Sequence, residues 1–438
     1  MGSTRSRTIG VLAGVLALTG ALVAPTTVAT AEPAMATTAV EATAPAQRAE
    51  PAKAPRGRRP VVFVGNNWEG TADVLYPRGE MRRIARINII PDFDERMAEI
   101  TMDPERLGYF LAIRALIGEG HDQFVDDMYT SNDGELLIVS RPSFADVVAI
   151  DLETKEIAWR FPVAGQRSDH MAISPDGKQV AVSASTANVV HVLNVRTGEE
   201  EGQFASGDSP HENTYSKDGK RIYHASIGLV YTPTDDPAMD DTKGERVFEV
   251  VDARTFEVLK RIDMGQKLEE AGYPDMSSAV RPMAISPDEH FAYLQVSFFH
   301  GFIEYDLRKD VVTRVHEMPI SDEAAATPRE NYLLDSAHHG IAMNGRGSKL
   351  CVAGTMSDYA AIVNRKSFAT TIVAQGEKPY WSTTSRDGKL CYVSFSGDDQ
   401  IAAIDYKTRK VVARVDVGDH PQRIRMGTVR RSWIRAQE

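Results

Sequence analysis

Seven positions along this chain share one place in a repeating pattern, and every one of them is polar or ionisable: Asp126, Asp169, His211, Arg281, His339, Tyr380 and Gln422. The residues that follow them are Asp127, His170, Glu212, Pro282, Gly340, Trp381 and Arg423. Imidazoles gathered with carboxylates form a mixed N/O donor set that suits zinc, copper, iron or manganese. His170, His211 and His339 are therefore the candidate ligands of a divalent transition metal. The same residues could act without a metal. His170, His211, His339 or Tyr380 would take a proton and Glu212 would return one, while Arg281 or Arg423 holds a carboxylate. Asp126, Asp169, Trp381 and His300 complete the candidate substrate-binding set. Ligand spacing gives no help, because each residue comes from a different repeat. Nucleophile-elbow, zincin, phosphate-loop and dinucleotide motifs are absent from the sequence.

The elements that would position these residues are repeats. Gly165 and Gly177, Gly207 and Gly219, and Gly376 and Gly388 each bracket one pattern ending in Asp-Gly, and Gly418 begins a fourth copy. Gly165 to Gly207 and Gly376 to Gly418 are both 42 residues. Short alternating segments follow each Asp-Gly, which means antiparallel strands joined by hairpins. A repeat of this length holds four strands, the content of a propeller blade.

Ser174-Pro175-Asp176-Gly177-Lys178 is the best-formed copy, with Val393-Ser394 and Ile404-Asp405 following the later strands. The pattern resembles the YVTN β-propeller repeat family over most of residues 61–430. The resemblance implies an all-β, seven-bladed β-propeller of four-stranded blades. It carries little about function, because this fold hosts enzymes, sensors and scaffolds. In the family pattern the second of the two mouth positions is usually Gly, so His170, Glu212, Trp381 and Arg423 depart from it. Residues 61–90 supply only three strands, and Gln422–Val429 can supply the missing inner one, so the chain ends would close the ring and leave no open edge.

The rest of the chain frames this domain. Arg5 and Arg7, the apolar run Ile9 to Ala24 and Ala29-Thr30-Ala31 read as a signal peptide over residues 1–31. Residues 32–60 are rich in Ala, Pro and Thr without an aromatic residue and read as a flexible linker. Residues 431–438 read as a C-terminal tail. A secreted or extracytoplasmic protein with no transmembrane anchor after cleavage follows. The net charge of −11 argues against a nucleic-acid partner, and a closed ring needs no oligomer, so a monomer is expected. Cys351 and Cys391 occupy nearly the same second-strand position in successive blades. They are expected to be buried free thiols, because equivalent strands of neighbouring blades usually lie beyond disulfide reach.

Inner strands that run down from one face place the long insertions, at 91–123, 228–245, 263–279 and 318–337, on that face with the polar positions. Loops collected on one face of a rigid scaffold commonly carry binding. His300 joins the rim from a second-to-third strand turn, and His121 and His420 precede inner strands. His191 and His224 fall in strand interiors and read as packing residues, while His290 and His316 read as solvated. The expected function is a small-molecule pocket at the channel mouth with lyase, hydrolase or metal-assisted chemistry. The competing expectation is a non-catalytic envelope module that binds a protein or glycan through the same loops.

Overall fold

A computed structural model describes residues 57–229, 239, 242–332, 334 and 336–438. The signal segment, nearly all of the linker and the middle of the 228–245 insertion lie outside the described residues. Seven four-stranded antiparallel sheets form the blades of a β-propeller. The inner strands are Met128–Thr130, Ser168–Ile173, Pro210–Tyr215, Val280–Ile285, Ile341–Met343, Pro379–Thr384 and, for blade one, the C-terminal Pro421–Arg430. That last strand pairs with Arg58–Asn66, with Val61 opposite Gly427 and Val62 opposite Met426. Both chain ends therefore close the ring, as the strand count requires. The N-terminal strand reaches back to Arg58, inside the stretch read as linker, because its backbone pairs as far as Arg430.

Burial follows strand position. The second strand of blade two, Leu136–Arg141, is buried throughout, whereas its outer strand, Ile157–Pro162, is partly exposed along its length. Second strands are covered on both faces by neighbouring blades, which explains their near-continuous apolar runs. Residues 431–437, read as a tail, form a helix that buries Trp433 and Ile434 against the first two blades.

The cysteines correct their expectation. Cys351 and Cys391 form a disulfide, with Cα atoms 6.5 Å apart. Second strands lie close to the axis, where blades converge, and small neighbours such as Ala342, directly opposite Cys351, permit the approach. The separation falls inside the ~7 Å reach of the bond.

Two local features position the site. The first is irregular pairing at the upper end of the inner strands. The ladder skips residues 169–170 in blade three, 281–282 in blade five, 380–381 in blade seven and 422–423 in blade one. Only residue 211 is skipped in blade four. Freed from strict alternation, consecutive side chains can both turn to the channel. The second is the 91–123 insertion, folded as α1 (Phe93–Met102) and α2 (Pro104–Leu116). Asp103 caps α2 by accepting from the Glu105 and Arg106 amides at 3.0 and 3.1 Å. Arg106 then donates to the carbonyls of Gln166 and Ser143 at 2.9 and 2.6 Å. These bonds fix α2 to the tops of two blades and bring Ile117, just past its end, over the channel. None of the described helices is long and apolar enough to cross a membrane.

Candidate functional site

All seven residues of the first mouth position line a single cavity, together with His170 and Arg423 from the second. Its volume is ≈ 30 Å³, room for one or two water-sized species. Ile117, Ile227 and Leu334, from three different connections on the upper face, also line it.

The three histidines converge. One ring nitrogen from each of His170, His211 and His339 lies within 4.8 Å of the other two. Two of the rings are oriented from behind. His170 Nδ1 sits 2.6 Å from Glu212 Oε2, and His211 Nδ1 sits 3.1 Å from Asp169 Oδ2. The ionised Asp169 behind His211 Nδ1 favours the tautomer that leaves Nε2 as a lone-pair donor, the arrangement typical of metal-bound histidine. Among the described residues His211 Nε2 has no hydrogen-bond partner, and neither ring nitrogen of His339 has one. The His339 ring stacks on Tyr380 at 4.2 Å. Asp126, Asp169 and His170 form a second close-set group of potential donors.

Burial and charge set the protonation states. Burial pushes the His211 pKa down to about 4, and the neighbouring Arg281 and Arg423 add to the effect. Burial, then Arg423, holds His170 and His339 well below the usual imidazole range. All three rings are thus neutral at neutral pH. Burial raises Glu212 to about 8 and Asp126 to about 7, against the pull of nearby guanidiniums. Burial also pushes Asp169 up, but Arg167 and His211 outweigh it and keep this carboxyl below its usual range. Burial raises the Tyr380 hydroxyl to about 12.

Three expected site residues take other places. Glu212 does not line the cavity; it stands behind His170 as the partner of Nδ1. Trp381 also lies behind the lining, where the guanidiniums of Arg423 and Arg425 rest on its ring at 4.1 and 4.9 Å. His300 is separate from the group. Its turn faces the 318–337 insertion, where Nε2 meets Tyr332 Oη at 2.9 Å and the ring contacts His338 at 5.9 Å. His121 and His420 likewise stay outside, stacked on opposite sides of the pattern around Trp68 at 3.9 and 3.8 Å. The structure adds Arg167, Gln123 and the three aliphatic residues to the lining. Arg167 and Gln123 lie just upstream of inner strands, a place from which a side chain reaches the mouth as readily as the strand's first residue.

Behind the lining runs a buried ionic layer. Arg425 donates to both oxygens of Asp127 at 2.7 Å, and the same carboxylate accepts from the Met128 and Met171 amides. One carboxylate thereby ties the inner strands of blades one, two and three.

No protein-family model matches the chain, and no curated protein matches it by sequence. Among solved structures it is similar to a chain of Kuenenia stuttgartiensis hydrazine synthase. The two share 17% identity over 68% of this chain and 88% of that one, with a TM-score of 0.52. At that identity the likeness shows a shared fold and nothing of the site.

Proposed function

We propose that the channel mouth is a three-histidine metal centre, and that the protein is an exported enzyme using it on a small molecule. The observation that carries this reading is the convergence of three neutral imidazoles, two of them backed by carboxyl groups and with ring nitrogens that lack a hydrogen-bond partner among the described residues at His211 and His339. Burying so many unpaired polar atoms without a ligand would cost several kcal/mol. His170, His211 and His339 would hold a divalent transition metal. Three protein ligands leave a coordination position open, as catalytic sites require. A metal bound there would polarise a substrate oxygen or supply a water nucleophile at neutral pH. Glu212 and Asp169 would orient the imidazoles. Export is supported by the leader-like N-terminus and by the Cys351–Cys391 disulfide, a bond that persists in oxidising compartments.

The test is elemental mass spectrometry of residues 32–438 beside a His211→Ala/His339→Ala double variant. One equivalent of metal in the parent, lost in a folded variant, is expected. Absence of metal after reconstitution with zinc, copper, iron and manganese would overturn the reading and leave metal-free acid–base chemistry or a ligand-binding module to be tested.

A further inference from the structure

We infer that one sector of the face opposite the channel mouth docks on an anionic phospholipid bilayer, with the mouth held away from the lipid. The inference is independent of the metal centre.

Charge is divided between the two faces. The four long insertions on the mouth face contain 21 acidic and six basic residues, a net −15 that leaves the rest of the chain at +4. The basic residues of that remainder are gathered. On the opposite face lie the turns of blades six and seven, at 344–348, 365–369, 385–389 and 406–410, and the lower end of blade one, at 57–59, 76–82 and 430–438. These segments hold 15 basic and three acidic residues. The corresponding turns of blades two to four, at 131–135, 152–156, 174–178, 195–199, 216–220 and 253–257, hold six basic and eight acidic residues. Position on the lower face therefore does not by itself explain the excess.

The basic segments form one continuous surface. The Gly345 amide of blade six donates to the Gly388 carbonyl of blade seven at 3.2 Å. Arg386 of blade seven donates to Thr428 Oγ1 of the closing strand at 2.6 Å, and Arg78 of blade one pairs with Asp387. Arg58 stands opposite Arg430 in the ladder that closes the ring. Glu438 answers Arg82, and Glu135 of blade two answers Arg430. Arg59, Lys366, Lys407, Lys410, Arg431 and Arg435 are exposed and make no ion pair among the described residues. Arg431 and Arg435 are one helical turn apart and share a face of the C-terminal helix.

A cluster spread over three blades matches an extended anionic surface better than a single small anion. The negative potential of a bilayer containing acidic lipids attracts such clusters, while the acidic insertions on the far side are repelled, so the two faces together set the orientation. The path of the chain favours a bilayer over other polyanions. The Arg431 amide donates to the Gly57 carbonyl at 3.0 Å, so the chain enters the ring from within this cluster. The preceding sequence leads back to the apolar run Ile9 to Ala24, the segment read as engaging a membrane during export.

The experiment is flotation of residues 32–438 with vesicles of phosphatidylcholine alone and of phosphatidylcholine mixed equally with phosphatidylglycerol. The protein should float with the mixed vesicles only, and raising NaCl from about 0.05 M to about 0.5 M should weaken binding at least tenfold, because exposed charges are screened. Lys407→Glu/Lys410→Glu/Arg435→Glu should weaken it at least tenfold at the lower salt. Lys178→Glu/Lys220→Glu/Arg254→Glu, the same change of charge on blades three and four, should weaken it less than threefold. Circular dichroism checks that both variants fold, and Arg59→Glu/Lys366→Glu replaces the first, with the same direction expected, if it does not. Absence of flotation with the mixed vesicles would overturn the inference. Equal losses in the two triple variants would overturn it as well, since overall charge and no particular face would then govern binding. A short DNA duplex bound as tightly as the mixed vesicles, through the same residues, would replace the bilayer with a general polyanion.

Discussion

The two ends of the inner strands use polar residues in opposite ways. At the turn end, a Ser and an Asp two residues apart recur in five blades: Ser131/Asp133, Ser174/Asp176, Ser216/Asp218, Ser286/Asp288 and Ser385/Asp387. The serine hydroxyl donates to the aspartate in each, at 2.6–2.8 Å. Both side chains also accept from the amides that follow, so every turn satisfies its own polar groups. At the mouth the residue type changes from blade to blade, partners come from other blades, and buried atoms of His211, His339, Asp126 and Arg423 have no hydrogen-bond partner among the described residues. Polar groups that serve folding close on themselves locally. Groups left open in a buried ring, at a cost to stability, point to a ligand.

The largest effect should come from the ionic layer beneath the mouth, which looks like the site in sequence but behaves like the turns. Asp127 is fully paired, by Arg425 and by two amides. Asp127→Ala removes the buried acceptor of the half-buried Arg425 guanidinium and of two amides, and should cost about 3–5 kcal/mol, read as a lower denaturant midpoint. A loss below about 1 kcal/mol would mean that water reaches this layer and that it belongs with the open groups above it.

Acid should separate satisfied from open groups next. His224 is buried, with Nδ1 on Asn213 Oδ1 at 2.9 Å and Nε2 on Ser206 Oγ at 2.7 Å. Burial drives its pKa down to about 3 from 6.5, with His211 and Arg261 pushing the same way. The unfolded chain takes up a proton below about 6.5 that the folded ring refuses until about 3. Stability is therefore fully present above about 6.5 and falls as the pH drops, by about 1.4 kcal/mol per pH unit for each such histidine. Unfolding curves at pH 7 and pH 5 should show this fall, and in His224→Gln the slope should drop by one proton's worth. An unchanged slope would assign the acid sensitivity to other histidines.

How much of this was legible in the sequence depended on the repeat. The opening glycine of the best-formed repeats and the turn that ends each of the looser ones located the starts of the inner strands, so Asp126, Asp169, His211, Arg281, His339, Tyr380 and Gln422 could be placed on one ring from spacing alone. Ile117, Ile227 and Leu334 could not, because they sit in insertions without a repeat to align them. The layer in which a second-position residue ends up depends on where the ladder breaks. In blade four it skips only residue 211, so Glu212 stays in register and stands behind His170, while His170 itself reaches the cavity. The disulfide was hidden for a related reason: the distance between equivalent strands changes with distance from the axis, which strand spacing does not encode.

Glu212→Gln sharpens the contrast with a smaller effect. The amide keeps the shape and can still meet His170 Nδ1, but it cannot ionise, as the Glu212 carboxyl would on metal binding to raise the basicity of the imidazole. Metal affinity should fall about 10–100-fold, measured by competition with a chelator, while the unfolding midpoint changes little. A large stability loss with unchanged metal affinity would make Glu212 a structural residue like Asp127.

The smallest single effects belong to the turns, and their additivity is the informative quantity. Ser174→Ala removes a hydroxyl that donates to Asp176 and accepts from the Gln179 amide at 3.0 Å, and should cost about 1 kcal/mol. Ser385→Ala removes the equivalent group four blades along the chain, with no shared partner. The double variant should therefore equal the sum of the singles within about 0.5 kcal/mol. Asp127→Ala combined with Arg425→Ala should not add, because the second change removes the charge that the first had stranded, and the cycle should show coupling of roughly 0.5–3 kcal/mol. Coupled turns would mean that the blades share strain around the ring. An additive Asp127/Arg425 pair would mean that the mouth rests on independent contacts, and the division between locally closed turns and a cooperative ring of ligand-seeking groups would fail.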